Sequence, residues 1–326
     1  MPSPAEPGAP RAYLPERRAQ RTLGGPVFWL RASRFQFVTG STMPVLVCSA
    51  MAWYETGAFS WGYFWASLVG IVLIHTGANL ANDVFDHLSG NDPGNTEFAS
   101  PFTGGSRVIQ EGRIGPLKML LAALLCFSAG SLIGLYLVWA RGLWILWIGL
   151  LGVATAFFYT APPLRLCYRG AGELLIALDF GILPALGAYY VQAQQFSWGA
   201  IAAGMPATLL ITAVLFINQF QDMRADALAQ KRHWVVRLGR GRARRWYYAL
   251  ILGAPLSLLT GVLLGWLPAT TLIGLLACLL LPGMLRAAAR FYDTPPGLLP
   301  ANAGTVAMHL LTGLLMTAGI VLTAVW

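Results

Sequence analysis

The sequence predicts an all-α polytopic membrane protein, about nine transmembrane helices bundled around a central intramembrane cavity. Three observations predict it. The 326-residue chain is 56% hydrophobic and only 11% charged, whereas an ordinary soluble domain carries roughly a quarter charged residues; its mean hydropathy is +0.61. Nine apolar runs approach the roughly 20 residues that a bilayer-spanning helix needs. Lys and Arg fall almost entirely on alternate connections between those runs.

The runs occupy residues 35–53, 62–82, 117–139, 143–161, 173–191, 199–220, 246–265, 269–286 and 303–325. Trp53, Trp61, Trp139, Trp198, Trp246, Trp266 and Trp326 stand near their ends, where an amphipathic ring favours the membrane interface. With the N-terminus inside, Arg141 is the one outside base among the 22 Lys and Arg. That asymmetry sets the orientation and accounts for the net charge of +9 without a nucleic-acid partner. Residues 1–30 are Pro-rich and basic with no apolar core, which reads as a disordered cytoplasmic tail rather than a signal peptide. Residues 31–326 then form a single transmembrane domain. Cys48, Cys126, Cys167 and Cys278 are far apart and sit in or beside apolar runs, the pattern of small buried side chains rather than of a metal site.

Two long polar loops follow the second and sixth runs on the cytoplasmic side, and each begins with acids. The first is "NDVFDHLSGND", with Asn82, Asp83 and Asp86; the second is "NQFQDMRADALAQKR", with Asn218, Asp222 and Asp226. Residues three or four apart share a helix face, so each pair of aspartates points one way. Like charges this close repel unless solvated or neutralised. For one pair, solvation is the simpler reading. Two matched clusters among only 13 acidic residues point instead to Mg²⁺, which takes one or two carboxylates together with substrate phosphates.

The flanking residues agree. "PFTGGSRVIQEGR" supplies a Gly-rich turn and Arg107, and Lys231 and Arg232 follow the second cluster. Glycines let backbone N–H groups approach an anion and bases balance its charge, although positive-inside bias alone places bases here. "FFYTAPPLRLCYRGAGE" adds Tyr159 and Arg165 on the same side, and its paired prolines end the fourth run. Arg237–Arg245 reads as the inside bias, suited to anionic lipid. Asp179, an acid within the fifth run, is a functional suspect with its role open, as are Asp92, Arg31 and Arg34. His75 and His309 read as packed side chains; His87 and His233 stand in the polar loops.

The paired motifs resemble those of the UbiA superfamily of intramembrane aromatic prenyltransferases, and "YTAPPLRL" is similar to the Tyr-containing segment between them. The resemblance covers roughly residues 30–320. Within the superfamily, "GANLANDVFDHLSGND", "PFTGGSRVIQEG", "YRGAGELLIALDFG" and "KRHWVVRLG" look most like the 1,4-dihydroxy-2-naphthoate branch of menaquinone synthesis. The chain departs from that branch at Gln221, where a base is common, and in "KRHW"; Gly90 stands where other branches carry a third acid. The resemblance implies Mg²⁺-dependent transfer of a polyprenyl group from its diphosphate to an aromatic acceptor, with decarboxylation to demethylmenaquinone, in a bacterial-type inner membrane with the site open to the cytoplasm. It assigns Mg²⁺–diphosphate binding to Asn82, Asp83, Asp86, Asp222 and Asp226, phosphate neutralisation to Arg107, Arg165, Lys231 and Arg232, and a place beside the allylic cation to Tyr159. Asn218 belongs with the substrate-binding set. A different aromatic acceptor is one alternative; a cation-coupled secondary transporter, with the acids as its ion site, is another. A CDP-alcohol phosphotransferase lacks its Asp-Gly…Ala-Arg opening here, and a structural subunit would leave the acids without a task.

Overall fold

The computed structural model describes residues 25–326. Residues 1–24, most of the expected tail, lie outside the described residues; Pro26–Ala32 is a short helix. Eight of the described helices are long and apolar enough to cross a membrane: α1 (Phe35–Thr56), α2 (Trp61–Leu88), α3 (Pro116–Arg141), α5 (Gly172–Ala193), α6 (Trp198–Leu228), α7 (Arg240–Leu263), α8 (Ala269–Phe291) and α9 (Pro295–Val325). A shorter apolar helix, α4 (Trp144–Phe158), takes the place of the expected fourth run. The architecture is therefore the expected helical bundle, with one span shorter than the rest.

Several helices extend beyond the predicted runs, and two of them carry the acids. α2 continues to Leu88 and α6 to Leu228, so their acids sit on unbroken helices rather than at loop starts. At 1.5 Å per residue, the 31 residues of α6 exceed the hydrocarbon thickness of about 30 Å, and the surplus turns stand where water, loops and counter-charges meet. Ser60 caps the start of α2 by accepting from Tyr63 N, and Ser197 caps α6 by accepting from Ala200 N, each satisfying one free amide of the first turn.

Successive helices alternate in direction, so the C-terminal ends of α2, α4 and α6 share one end of the bundle. The long connections, 89–115, 159–171 and 229–239, lie at that end. The opposite end has short ones, such as Gly57 to Ser60, where Gly57 closes α1 at φ 69°. α6 and α1 form the centre: 78% and 67% of their apolar windows are buried, against 22% for α3. α1 packs on α5, α6 and α9, and α6 also on α7. α3 joins the bundle through α2, where Gly70 faces Gly130 so closely that a Cβ on Gly130 would stand 3.0 Å from the Gly70 carbonyl oxygen. Small residues at such crossings let helices approach in lipid.

Candidate active site

The loop-bearing end holds a polar cavity of about 180 Å³ whose walls come from α2, α5, α6 and the long loops. Asn82, Asp86, Tyr159, Asn218, Asp222, Asp226 and Lys231 all line it. The two acid clusters, more than 130 residues apart in sequence, therefore face one space. Lys231 joins them: its Nζ lies 3.0 Å from Asp86 Oδ2 and 3.9 Å from Asp226 Oδ1. Burial works against its charge, but Asp86 and Asp226 outweigh that and hold its pKa well above the usual lysine value.

Each aspartate has its own support. Asp83, expected among the Mg²⁺ ligands, does not line the cavity; it is ion-paired with Arg34 and accepts from Ser106 N at 3.1 Å. Tyr168 Oη donates to Asp86 Oδ1 at 3.1 Å. Asn95 Nδ2 donates to Asp222 Oδ1 at 2.6 Å. Asp226 accepts from Asn91 Nδ2 at 2.9 Å and His233 Nε2 at 2.8 Å. His233 Nδ1 accepts from Val236 N, which leaves the ring proton on Nε2, facing the carboxylate. The "KRHW" segment is in turn held by the stretch after α4: Arg232 N donates to Tyr168 O, Trp234 N to Glu173 Oε1 and Trp234 Nε1 to Gly170 O.

Arg34 enters the site and Arg31 does not; Arg31 pairs with Glu111 at the surface. Burial opposes the charge on Arg34 too, yet Asp83 and Asp92 hold its pKa above the ordinary value. Arg107 lies behind the wall rather than in it, donating to Asp92 O at 2.6 Å and stacking on Phe98 at 4.5 Å. Arg165 and Arg232 are exposed and do not line the cavity. Sequence reasoning passed over Asn91, Asn95, Tyr168 and His233 as partners of the acids. The signal for the first two was the run of amides and glycines in "SGNDPGN", which folds the loop back over α6.

The residues suit a hard cation. Asn82 Oδ1, Asn91 Oδ1 and Gln219 Oε1 are buried with no donor among the described residues, and all three residues line the cavity. Buried acceptors of this kind call for a partner, and carboxylate and amide oxygens are what Mg²⁺ takes. Among the described residues no three acidic, His or Cys side chains converge as a closed metal cage.

Gly104 and Gly105, at φ 78° and 75°, bring the Gly-rich turn against the acids. A Cβ on Gly105 would lie 2.5 Å from Asp92 Oδ2 and 3.2 Å from Asp83 Oδ1. Gly105→Ala therefore adds ~1–2 kcal/mol of left-handed backbone strain and pushes on the Arg34–Asp83 pair. Activity in membranes is expected to fall at least about tenfold with the protein still present at parental levels; parental activity would show that the turn tolerates a side chain.

Asp92 gives a second prediction. It is 3% exposed, and burial together with the negative charges of Asp86 and Asp83 pushes its pKa up to about 8. The unfolded chain loses this proton near the ordinary value of about 3.9. Between those values the folded state holds the extra proton, so stability falls as pH rises and levels off above about 8. The melting temperature of metal-free protein is expected to drop between pH 6 and pH 8, and Asp92→Asn to flatten that slope. Equal slopes would refute the assignment.

A second cavity, of about 400 Å³ and almost wholly apolar, lies between α2, α3, α4 and α5. It shares His75, Ala78, Ala156, Asp179 and Phe180 with the polar one, so a charged compartment at the bundle end adjoins a greasy one in its interior. Such a pair fits a substrate with an anionic head and a hydrocarbon tail.

The chain is similar to several known proteins. The chain is 29% identical over 293 residues to "2-carboxy-1,4-naphthoquinone phytyltransferase" of Synechocystis sp., covering 89% of this chain and 92% of that one. It is 32% identical over 266 residues to "1,4-dihydroxy-2-naphthoate octaprenyltransferase" of Mycobacterium tuberculosis, covering 79% and 86%. Its fold matches that of a UbiA homolog from Archaeoglobus fulgidus bound to DMAPP and Mg²⁺, with a TM-score of 0.59 over 89% of this chain and 99% of that one at 14% identity. The model of the UbiA prenyltransferase family matches residues 41–303, and the chain, an integral membrane prenyltransferase, belongs to that family.

Proposed function

We propose that this enzyme transfers a polyprenyl group from polyprenyl diphosphate to 1,4-dihydroxy-2-naphthoate, with loss of the carboxylate, to give demethylmenaquinone. The observation that carries the donor half is the polar cavity adjoining the apolar one through five shared residues: the diphosphate takes the first and the isoprenoid tail the second. The acceptor is carried over from the naphthoate named for the relatives.

Asn82, Asp86, Asp222 and Asp226 would hold Mg²⁺, which supplies positive charge to the departing diphosphate. Asp83 keeps Arg34 at the rim, where its guanidinium meets phosphate oxygens. Lys231, seated between the clusters, shifts from the carboxylates to the diphosphate as that group arrives. Asn218 is held by Asn302 Nδ2 at 2.7 Å and presents its free amide to the cavity. Tyr159 stands beside the allylic carbon and faces the developing cation with its ring; burial pushes its hydroxyl pKa up, with Cys167 adding to the effect, so it stays neutral. The apolar walls keep water from the cation. Arg107, Arg165 and Arg232 act outside the cavity, Arg107 by bracing the loop and the other two by attracting the anionic substrate to the bundle end. The N-terminus and site face the cytoplasm of a bacterial-type inner membrane, residues 31–326 form one domain, and a tail precedes it.

Membranes containing the chain, incubated with Mg²⁺, labelled polyprenyl diphosphate and either 1,4-dihydroxy-2-naphthoate or 4-hydroxybenzoate, test this. Lipid-soluble label with the naphthoate alone, lost on adding EDTA, is the expected result. Product with the benzoate instead would replace the acceptor.

A further inference from the structure

Asp179 takes no part in the chemistry above, and its position is unusual for an acid. It lies inside the membrane-spanning stretch Gly172–Ala193 and is 7% exposed. The backbone there widens into a π turn, Leu178–Ile182, a departure that recurs at functional sites in α-helices. Thr155 Oγ1 donates to its Oδ1 at 2.6 Å. Among the described residues nothing donates to Oδ2, yet that oxygen is not sealed in the packing. Asp179 lines both cavities, so its carboxylate stands where they meet.

That junction has few polar groups. Of the five residues common to both cavities, only His75 and Asp179 are polar. His75 is committed elsewhere: its Nδ1 lies 2.8 Å from Ser41 Oγ, and its ring packs edge-on to Phe180 at 4.5 Å. A donor with its diphosphate in the polar cavity and its tail in the apolar one has its allylic carbon at the junction. An acceptor ring must come within about 3–3.5 Å of that carbon to react. A ring hydroxyl there meets one available carboxylate oxygen, and an ionisable group buried in a membrane span is a functional group by default.

We infer that Asp179 is the base that receives a ring-hydroxyl proton from the aromatic acceptor, an inference that rests on the reading of the chain as an aromatic prenyltransferase. The hydroxyl O–H bond breaks and its proton passes to Oδ2. The oxygen's electron pair moves into the ring, and the ring carbon bonds to the allylic carbon. The allylic C–O bond breaks, and its electron pair leaves with the diphosphate. The attacked ring then regains aromaticity by losing carbon dioxide, or by giving its ring proton to the departed diphosphate, and the oxygen takes its proton back from Asp179, which is restored. Thr155 fixes the carboxylate through Oδ1 and leaves Oδ2 free.

The test compares parent, Asp179→Asn and Thr155→Val in detergent or membranes, with labelled polyprenyl diphosphate and hydroxylated aromatic acceptors of graded hydroxyl acidity. Asp179→Asn keeps the shape and removes the base. Its kcat/KM for the acceptor is expected to fall about 100-fold or more, with the KM for the prenyl diphosphate unchanged, and the deficit is expected to shrink as the acceptor hydroxyl becomes more acidic. Thr155→Val is expected to show the same pattern more weakly. Unchanged donor KM also reports that the variants are folded. A deficit that ignores hydroxyl acidity, a matching rise in donor KM, or parental acceptor kinetics would each overturn the role while leaving the prenyltransferase reading intact. A parent that prenylates none of the acceptors would overturn both.

Discussion

Asp222→Asn is expected to lower kcat by about 10²–10³-fold while leaving the melting temperature of the metal-free protein within error of the parent. The size follows from removing one preformed charge that acts on a developing phosphate anion, an effect of that order where it has been measured. The unchanged stability follows from the local structure. The direct partner of Asp222 is a neutral amide, Asn95 Nδ2 at 2.6 Å, and an asparagine oxygen accepts that bond equally well. Among the described residues no base sits against Asp222 as Lys231 sits against Asp86, so no counter-charge there is orphaned. Asp86→Asn is expected to lose activity to the same degree but also to unsettle the fold, because Lys231 and Tyr168 both bond to that carboxylate. Steady-state kinetics and thermal unfolding of the two variants side by side separate a metal-and-phosphate role from a structural one. An Asp222→Asn enzyme with parental kcat would sink the proposed site.

The sequence disclosed the bundle because bilayer physics is written in composition: apolar runs of about 20 residues, Trp at their ends and bases on one side follow from the solvent. It disclosed the acids for a related reason, since Asp83, Asp86, Asp222 and Asp226 are conspicuous in a chain with 13 acidic residues. The length of the helices was less legible. A hydropathy reading stops α2 and α6 at the first charge, yet the helices run on because Arg34, Lys231, Asn91 and His233 offset that charge from other parts of the chain.

Which bases turn inward was not legible at all. Lys231 and Arg232 are adjacent and chemically alike, yet the Trp234 contacts to Gly170 and Glu173 rotate the first into the cavity and leave the second at the surface. Arg34 lies 49 residues from Asp83, and Asn79 Nδ2 bonding to Ser33 O at 2.8 Å helps to anchor that entry segment on α2. Those choices belong to loop paths, and loop paths are decided by partners distant in sequence.

Lys231→Met puts the bridging charge to the harshest test. The lysine is part-buried, its side chain 14% exposed, and it lies within 4 Å of two carboxylates that are themselves nearly sealed. Removing one partner of a buried ion pair leaves uncompensated charge and costs about 3–5 kcal/mol, much more than a surface base would. Metal-free protein is therefore expected to unfold at a clearly lower temperature. The carboxylates then face each other without a cation, so an added cation and its anion bind the native state and recover stability by mass action. Mg²⁺ with a non-hydrolysable diphosphate analogue is expected to raise the melting temperature of Lys231→Met by more than that of the parent, whose lysine already occupies the gap. Turnover is expected to stay low even in the rescued protein, because the lysine also balances charge on the departing diphosphate. Lys231→Arg, which keeps the charge on a larger head, is expected to be stable but slow. If Lys231→Met melts with the parent in the absence of Mg²⁺, the two acid clusters are not coupled through this side chain, and the view of one site built from both halves of the chain loses its central contact.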